Sequence, residues 1–198
     1  MSRSKNELDV IIKPLTPNLI EDFLNFFDNI AFSDNPDWEG CYCQFYQFAG
    51  NMEQWEKATK EHKRNSAKTL IKEEKMKGFL AFIDTEPAGW CNVNSKEVYN
   101  KIPVDSESDD TREGKIASIV CFLIAPAHRK KGLARKLLKQ AIKTLKGGGF
   151  AWIEAYPRKG DLSDAHSYHG PVSLFASEDF SIIKETEDFF TMRKYLLD

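Results

Sequence analysis

Between His128 and Lys146 the chain places eight lysines and arginines and no acid. The first part, Ala127-His128-Arg129-Lys130-Lys131-Gly132-Leu133-Ala134, follows an apolar run and Pro126, then opens a stretch with leucines at helical spacing. A helix N-terminus presents unpaired N–H groups and the positive end of its dipole, which suits phosphate. Gly132 permits a tight turn and close approach of a ligand to the backbone, and Ala134 leaves the first turn uncrowded. Arg129, Lys130, Lys131 and Arg135 add cations where a polyphosphate would lie. The string is neither a G-x-x-x-x-G-K-[ST] phosphate loop nor a G-x-G-x-x-G dinucleotide fingerprint. Alone, it equally describes a surface helix made basic for solubility, or a nucleic-acid contact.

The charge balance sharpens this. The 198 residues carry 28 basic against 30 acidic side chains, a net charge of −2, so a +8 segment leaves −10 for the remainder. That remainder opposes nucleic acid, whose ligands usually show a wider basic face or interleaved aromatics. No stretch approaches the roughly 18 apolar residues of a membrane span. The opening Met-Ser-Arg-Ser-Lys-Asn-Glu has no apolar secretory core, which predicts a cytoplasmic address and no membrane partner. Of the four cysteines, Cys41 and Cys43 are separated by one residue, and Cys91 and Cys121 lie in strand-like runs. Reduced, buried thiols are expected in that compartment. The C-x-C pair lacks a second ligand pair at finger spacing, so no metal is expected. Cys121 reads as a packing residue.

The elements that must position the basic segment follow from periodicity. The alternation at 8–13 predicts a strand. Thr16-Pro17 predicts an N-cap, and Leu19, Ile20, Phe23, Leu24, Phe27 and Ile30 one face of a helix. Residues 31–50 are irregular and aromatic. The polar amphipathic stretch 52–77 predicts two helices breaking near Asn65-Ser66. Residues 78–83 and 88–93 predict a hairpin, 94–115 a polar loop with Asp105, Glu107, Asp109 and Asp110, and 116–125 a central strand covered on both faces. A helix over 129–146, a strand over 150–156, a short helix over 171–177 and two strands over 181–194 complete an α/β or α+β mixed sheet. A single domain over 1–198 is expected. Its segments are an N-terminal strand and helices at 8–77, the hairpin and central core at 78–156, and a C-terminal helix and strands at 157–198.

Ile124-Ala125-Pro126-Ala127-His128-Arg129-Lys130-Lys131-Gly132-Leu133-Ala134 resembles the V-x-P-x-x-R-x-x-G-x-G/A signature of the GNAT superfamily of N-acetyltransferases. Gly78-Phe79-Leu80-Ala81-Phe82 with Pro87-Ala88-Gly89-Trp90 is similar to that family's central hairpin, and 180–196 to its closing strand pair. The likeness runs from about Leu8 to Leu196 in element order and is motif-specific over 116–156. It implies a mostly antiparallel sheet splayed between the strands at 116–125 and 150–156. It also implies acetyl-CoA as co-substrate and transfer of acetyl, by direct attack on the thioester, to the primary amine of a small molecule.

The resemblance further implies that main-chain groups of Phe122, Leu123 and Ile124 hold the pantetheine arm. Amides from Arg129 through Lys130, Lys131, Gly132 and Leu133 to Ala134, with Arg135, would hold the pyrophosphate. For proton transfer, Glu154 alternates with Trp152 and Tyr156 beside the expected cleft, and is the candidate base as well as a candidate structural ion-pair partner. The family's L-Y-x-x-x-G-F pattern is met here by Leu174-Phe175-Ala176-Ser177-Glu178-Asp179-Phe180, which lacks the tyrosine hydroxyl and the glycine. Tyr168 is the candidate replacement, with Tyr42 and Tyr46 as others. His166 and His169 read as surface or capping residues. Trp38, Cys41, Tyr42, Cys43, Phe45 and Tyr46, with Trp90, are the candidate acceptor-binding residues, alternatively an aromatic cluster beneath a loop. The missing tyrosine also leaves open a catalytically retired domain that binds CoA or a regulatory partner. Either a monomer or a homodimer is compatible with the sequence.

Overall fold

The computed structural model describes residues 9–102, 112–160, 163 and 166–197. The acidic run Asp105, Glu107, Asp109 and Asp110 lies outside them. Apolar residues at every position of β2 (Gly78–Ile83) divide by the period of two. Phe79, Ala81 and Ile83 enter one core cluster, whereas Leu80 and Phe82 enter another. Such two-faced burial marks a central strand with helices on both sides. The seven strands β1 (Val10–Pro14), β2, β3 (Glu86–Ser95), β4 (Ile116–Ile124), β5 (Trp152–Ala155), β6 (Ser181–Glu185) and β7 (Phe190–Tyr195) form one sheet in the order β1-β2-β3-β4-β5-β7-β6. Every pairing is antiparallel except β4 with β5.

Helix α1 (Ile20–Asn25) continues into a π-helical turn over Phe26–Ile30, and α2 (Met52–Lys57) is followed by α3 (Lys60–Lys72). The π-turn brings Phe26 into the core beside Phe23 and Phe27. With α3, this face buries Leu80, Trp90 and Val120. The opposite face is covered by α4 (Leu133–Gly147), whose Leu133, Leu137, Leu138, Ala141 and Leu145 are buried, and by α5 (Val172–Ala176). Truncating a fully buried leucine such as Leu137 costs about 2–5 kcal/mol, because the lost contacts are not replaced.

Two boundaries differ from the sequence expectation. The break in the 52–77 stretch falls at Ala58 and Thr59 rather than at Asn65-Ser66. Ala58 is extended, and the Thr59 hydroxyl accepts the His62 N–H at 3.1 Å, restarting the helix as an N-cap. Helix α4 begins at Leu133 rather than Arg129, because Pro126–His128 form a 3-10 turn and Lys130 (φ 59°) and Gly132 (φ 80°) are left-handed.

Two irregularities of β4 shape the open edge of the sheet. Its register against β3 slips between Cys121↔Asn92 and Ile119↔Val93, leaving Val120 as an inserted residue. The bulge turns Val120 and Cys121 to the α1–α3 face, whereas Ile119 and Phe122 face α4. Moreover, β4 pairs with β5 only over 116–119, so beyond Ile119 that edge meets no strand among the described residues.

Candidate active site

The open edge of β4 forms one wall of a cleft of about 850 Å3, contributed by Cys121, Phe122, Leu123 and Ile124. Ala125 donates its N–H to Ala88 on β3 at 2.9 Å. In an antiparallel ladder successive amides alternate sides, so Ile124 and Phe122 direct theirs away from β3, toward the open edge. At the outer end of the cleft stand Arg129, Lys130, Gly132, Leu133, Ala134 and Arg135. Gly132 is the N-cap of α4 and contributes no side chain to cap the first turn; the first bond back to it is Lys136 N–H to Gly132 O at 3.1 Å. A Cβ added at Gly132 would meet nothing within 4 Å, so the space over this turn is open, but its φ of 80° penalises any side chain there. An open, uncapped, cationic helix start leading from a free strand edge fits an extended ligand ending in phosphates.

Not every cation there is directed at a ligand. Arg129 clasps Asp34 with both terminal nitrogens, and its Nε donates to Ile124 O at 3.2 Å. The Arg129 guanidinium hydrogen-bonded to Asp34 holds that carboxyl below the usual range. Arg129 thus ties the loop after α1 to the end of β4, and its own amide is spent on Pro126 O. Lys131 Nζ caps Ala127 O at 2.8 Å. Arg135 approaches Glu178 at 4.0 Å and keeps half of its side chain exposed.

The inner part of the cleft is aromatic and sulfur-rich. Trp38, Tyr46 and Tyr168 line it, together with Phe45, Trp55 and the three cysteines Cys41, Cys43 and Cys121. The Tyr46 hydroxyl lies 3.0 Å from His169 Nε2. His169 is buried, and its Nδ1 has no hydrogen-bond partner among the described residues. Burial, with the nearby Arg158 charge second, pulls its pKa down to about 4, so its ring is neutral near pH 7. Burial raises the pKa of both Tyr46 and Tyr168, which keeps these hydroxyls protonated and available as donors.

Several expected site residues lie elsewhere. Tyr42 and Trp90, read as acceptor-binding, are fully buried core residues that do not line the cleft. The Tyr42 hydroxyl donates to Asp28, and Trp90 packs edge-on against Phe23 at 5.1 Å. Glu154, read as a candidate base, has no exposed surface. Its carboxylate accepts from Arg193 Nε at 2.9 Å and from the Tyr156 hydroxyl at 2.7 Å, and pairs with Lys96 Nζ at 2.9 Å. Burial works against the ionised form, but Lys96, Tyr156 and Arg193 outweigh it and hold the pKa below the usual value. A fully partnered carboxylate of this kind fastens β5 to β7. His169, expected at the surface, proves to be buried against Tyr46.

A sequence model of the Acetyltransferase (GNAT) family matches residues 35–169. The chain belongs to this family. Comparison with curated protein sequences finds no match. Among solved structures, PaiA N-acetyltransferase from Thermoplasma acidophilum in complex with coenzyme A is 17% identical, with TM-score 0.55 over 95% of this chain and 99% of that one. A GNAT-family acetyltransferase from Streptococcus pneumoniae gives 15% identity and TM-score 0.52, also over 95% and 99%. The NatC complex bound to Gag peptide and CoA gives 13% and 0.55 over 96% and 99%. At such identities the likeness is one of fold.

Within this GNAT acetyltransferase, the two departures from the L-Y-x-x-x-G-F pattern have structural accounts. Phe175 is buried between Phe122 and Phe180 in the core, and Asp179 adopts the left-handed φ of 61° that a glycine takes most easily. Among the described residues, no group of three or more His, Cys, Asp or Glu side chains is arranged to hold a metal ion, and no helix is long and apolar enough to cross a membrane.

Proposed function

We propose that this chain is an acetyl-CoA-dependent N-acetyltransferase that moves an acetyl group to the primary amine of a small molecule. The observation that carries this reading is the continuity of the free edge of β4 with the uncapped start of α4 across one cleft. Main-chain groups of Phe122, Leu123 and Ile124 would hold the pantetheine arm as a missing strand would be held. The amides of Gly132, Leu133 and Ala134, with Lys130, Lys131 and Arg135 around them, would receive the pyrophosphate. Bound there, acetyl-CoA supplies an activated acyl group, and the outward amides of Phe122 and Ile124 are positioned to stabilise negative charge developing on a carbonyl oxygen.

The acceptor would enter from the opposite side, where Trp38, Phe45 and Trp55 offer apolar surface and Asp37 offers negative charge to a cationic amine, Glu39 being paired with Lys60 at 2.7 Å. Holding both partners together supplies much of the rate advantage. Tyr46 and Tyr168, kept protonated, are suited to donate to a departing thiolate. Their hydroxyls answer the absence of one at Phe175, which is why catalysis is favoured over a retired CoA-binding domain. The test is calorimetric titration with acetyl-CoA followed by CoA release over a panel of amines. Saturable binding with acceptor-dependent release is expected. Absence of binding at low salt would overturn the reading, and binding without any release would favour the retired domain.

A further inference from the structure

Behind the inner wall of the cleft stands a histidine that can act only through its neighbours. His169 is 3% exposed and set among rings, with centroids at 4.3 Å from Tyr168, 5.8 Å from Tyr46 and 5.4 Å from the edge-on Phe189. The turn that carries it is closed by Gly170 N–H donating to Ser167 O at 2.9 Å. A Cβ at Gly170, whose φ is 78°, would come within 3.1 Å of the Phe175 ring, so this turn lies tight on the core. Among the described residues the side chain has one polar contact, the Tyr46 hydroxyl at 3.0 Å from Nε2.

A neutral imidazole carries one N–H, and the bond made at one nitrogen decides where that proton sits. With the proton on Nδ1, Tyr46 would donate to Nε2, and a buried N–H would be left with no acceptor among the described residues. The charge that acts on this ring, Arg158, is a cation and accepts nothing. With the proton on Nε2, His169 donates to Tyr46 and only a ring lone pair goes unfilled. Orphaned buried N–H groups are rarer than unfilled acceptors, which favours the second arrangement. A Tyr46 oxygen that accepts from His169 then sends its own proton elsewhere, and the Tyr168 hydroxyl is within hydrogen-bond reach. Burial is the main reason both tyrosines titrate high. The bond between them adds to this for Tyr46 and opposes it for Tyr168, as for a donor and its acceptor. Tyr168 keeps its own proton for the cleft, which it lines together with Phe122, Leu123 and Ile124, and its turn packs on β4.

We infer that His169 is a positioning residue whose Nε2–H orders a one-way chain, His169 to Tyr46 to Tyr168, ending with the Tyr168 proton directed at the leaving sulfur. This rests on the acetyltransferase reading and divides the work of the two tyrosines, Tyr168 as the donor and Tyr46 as the link. The amine nitrogen bonds to the carbonyl carbon, the bond from that carbon to sulfur breaks, and the Tyr168 proton passes to the sulfur. The surplus proton of the amine returns to the Tyr168 oxygen through solvent. His169 gives up no proton. Its N–H holds the Tyr46 hydroxyl toward the Tyr168 oxygen, which stabilises the charge that gathers there as the proton leaves.

The full chain is labelled with nitrogen-15 histidine and its four imidazoles are observed by NMR near pH 7, His169 being assigned by the loss of its signals in His169→Gln. The expected result is the Nε2–H tautomer, and an Nδ1–H tautomer overturns the inference. Amine-dependent CoA release supplies the second readout. His169→Gln keeps an N–H donor near the place of Nε2 and should stay close to the parent. His169→Met should lose about tenfold, with acetyl-CoA affinity unchanged in both. In a Tyr168→Phe background His169→Met should cost nothing more, because the chain has already lost its end. A further tenfold loss there marks a general packing role and overturns the inference, as do equal losses in His169→Gln and His169→Met. Absence of acetyl-CoA binding by the parent would remove the acetyltransferase reading and this role with it, whereas normal turnover with an Nδ1–H tautomer removes the role alone. The tautomer of the unmodified chain decides the matter even if His169→Met fails to fold.

Discussion

The two ends of the cleft are built on opposite principles. At the outer end one contiguous segment, 129–135, supplies backbone amides, cations and an open glycine, largely in contact with solvent. At the inner end Cys43, Tyr46, Asn92, Cys121 and His169 converge from four parts of the chain and most are buried. The first works by local geometry and tolerates change in its side chains. The second depends on hydrogen bonds in a low-dielectric setting, where each lost partner leaves a stranded polar group. Binding and chemistry should therefore separate under mutation.

The largest effect is expected at the closed end, where β4 and β5 still pair and Glu154 lies between Arg193 and Lys96. Glu154→Gln removes the buried charge that both cations share, and urea unfolding should show a loss of about 3–5 kcal/mol. Acetyl-CoA affinity of the folded fraction should hardly change; a selective loss of turnover at full stability would return Glu154 to the role of base.

Next comes the inner wall, through pH. His169 has a depressed pKa, so between 6.5 and about 4 the unfolded chain binds the proton that the native ring refuses. Stability from this group is present at neutral pH and drains away as pH falls through that window, by as much as about 3 kcal/mol. Unfolding curves at pH 7 and 5 should converge for His169→Gln relative to the parent.

At the outer end, Gly132→Glu sets a carboxylate and a strained φ where phosphate is expected. Calorimetry should report roughly 100-fold weaker acetyl-CoA binding, about 2.7 kcal/mol. Equal affinity would dissolve the distinction between the two ends. The smallest effect is assigned to Tyr168→Phe, with about a tenfold drop in amine-dependent CoA release and little change in binding. Tyr46→Phe serves as its comparison, since only Tyr46 has the His169 contact at 3.0 Å.

The same contrast explains what could be read in advance. The outer end was legible because R-x-x-G-x-A is a local string whose spacing fixes its geometry. The order of elements along the chain followed from the apolar runs at 78–83 and 116–124 and from the leucine spacing of the basic helix. At the inner end the residues between 38 and 46 could be named but not their partners, since Tyr46 and His169 lie 123 residues apart. The bulge at Val120 leaves no mark in a run that is apolar throughout, yet it decides which way Cys121 faces. Tyr99 and Lys96 were hidden in a stretch read as a polar loop, although one orients Asn92 and the other holds Glu154. Trp90 and Tyr42 misled because aromatic residues near a cleft and aromatic residues beneath it share the same composition.

The short contact between β4 and β5 has a mechanical consequence. Four residue pairs, 116–119 against 152–155, join the first four strands to the last three. Past that seam the sheet is a fork, with no strand pairing between its tines among the described residues. A ligand lying along the free edge of β4 would act as a splice between the two half-sheets. Loading the cleft would then stiffen the whole molecule, with stabilisation growing logarithmically with ligand concentration. The empty protein would yield first at the seam.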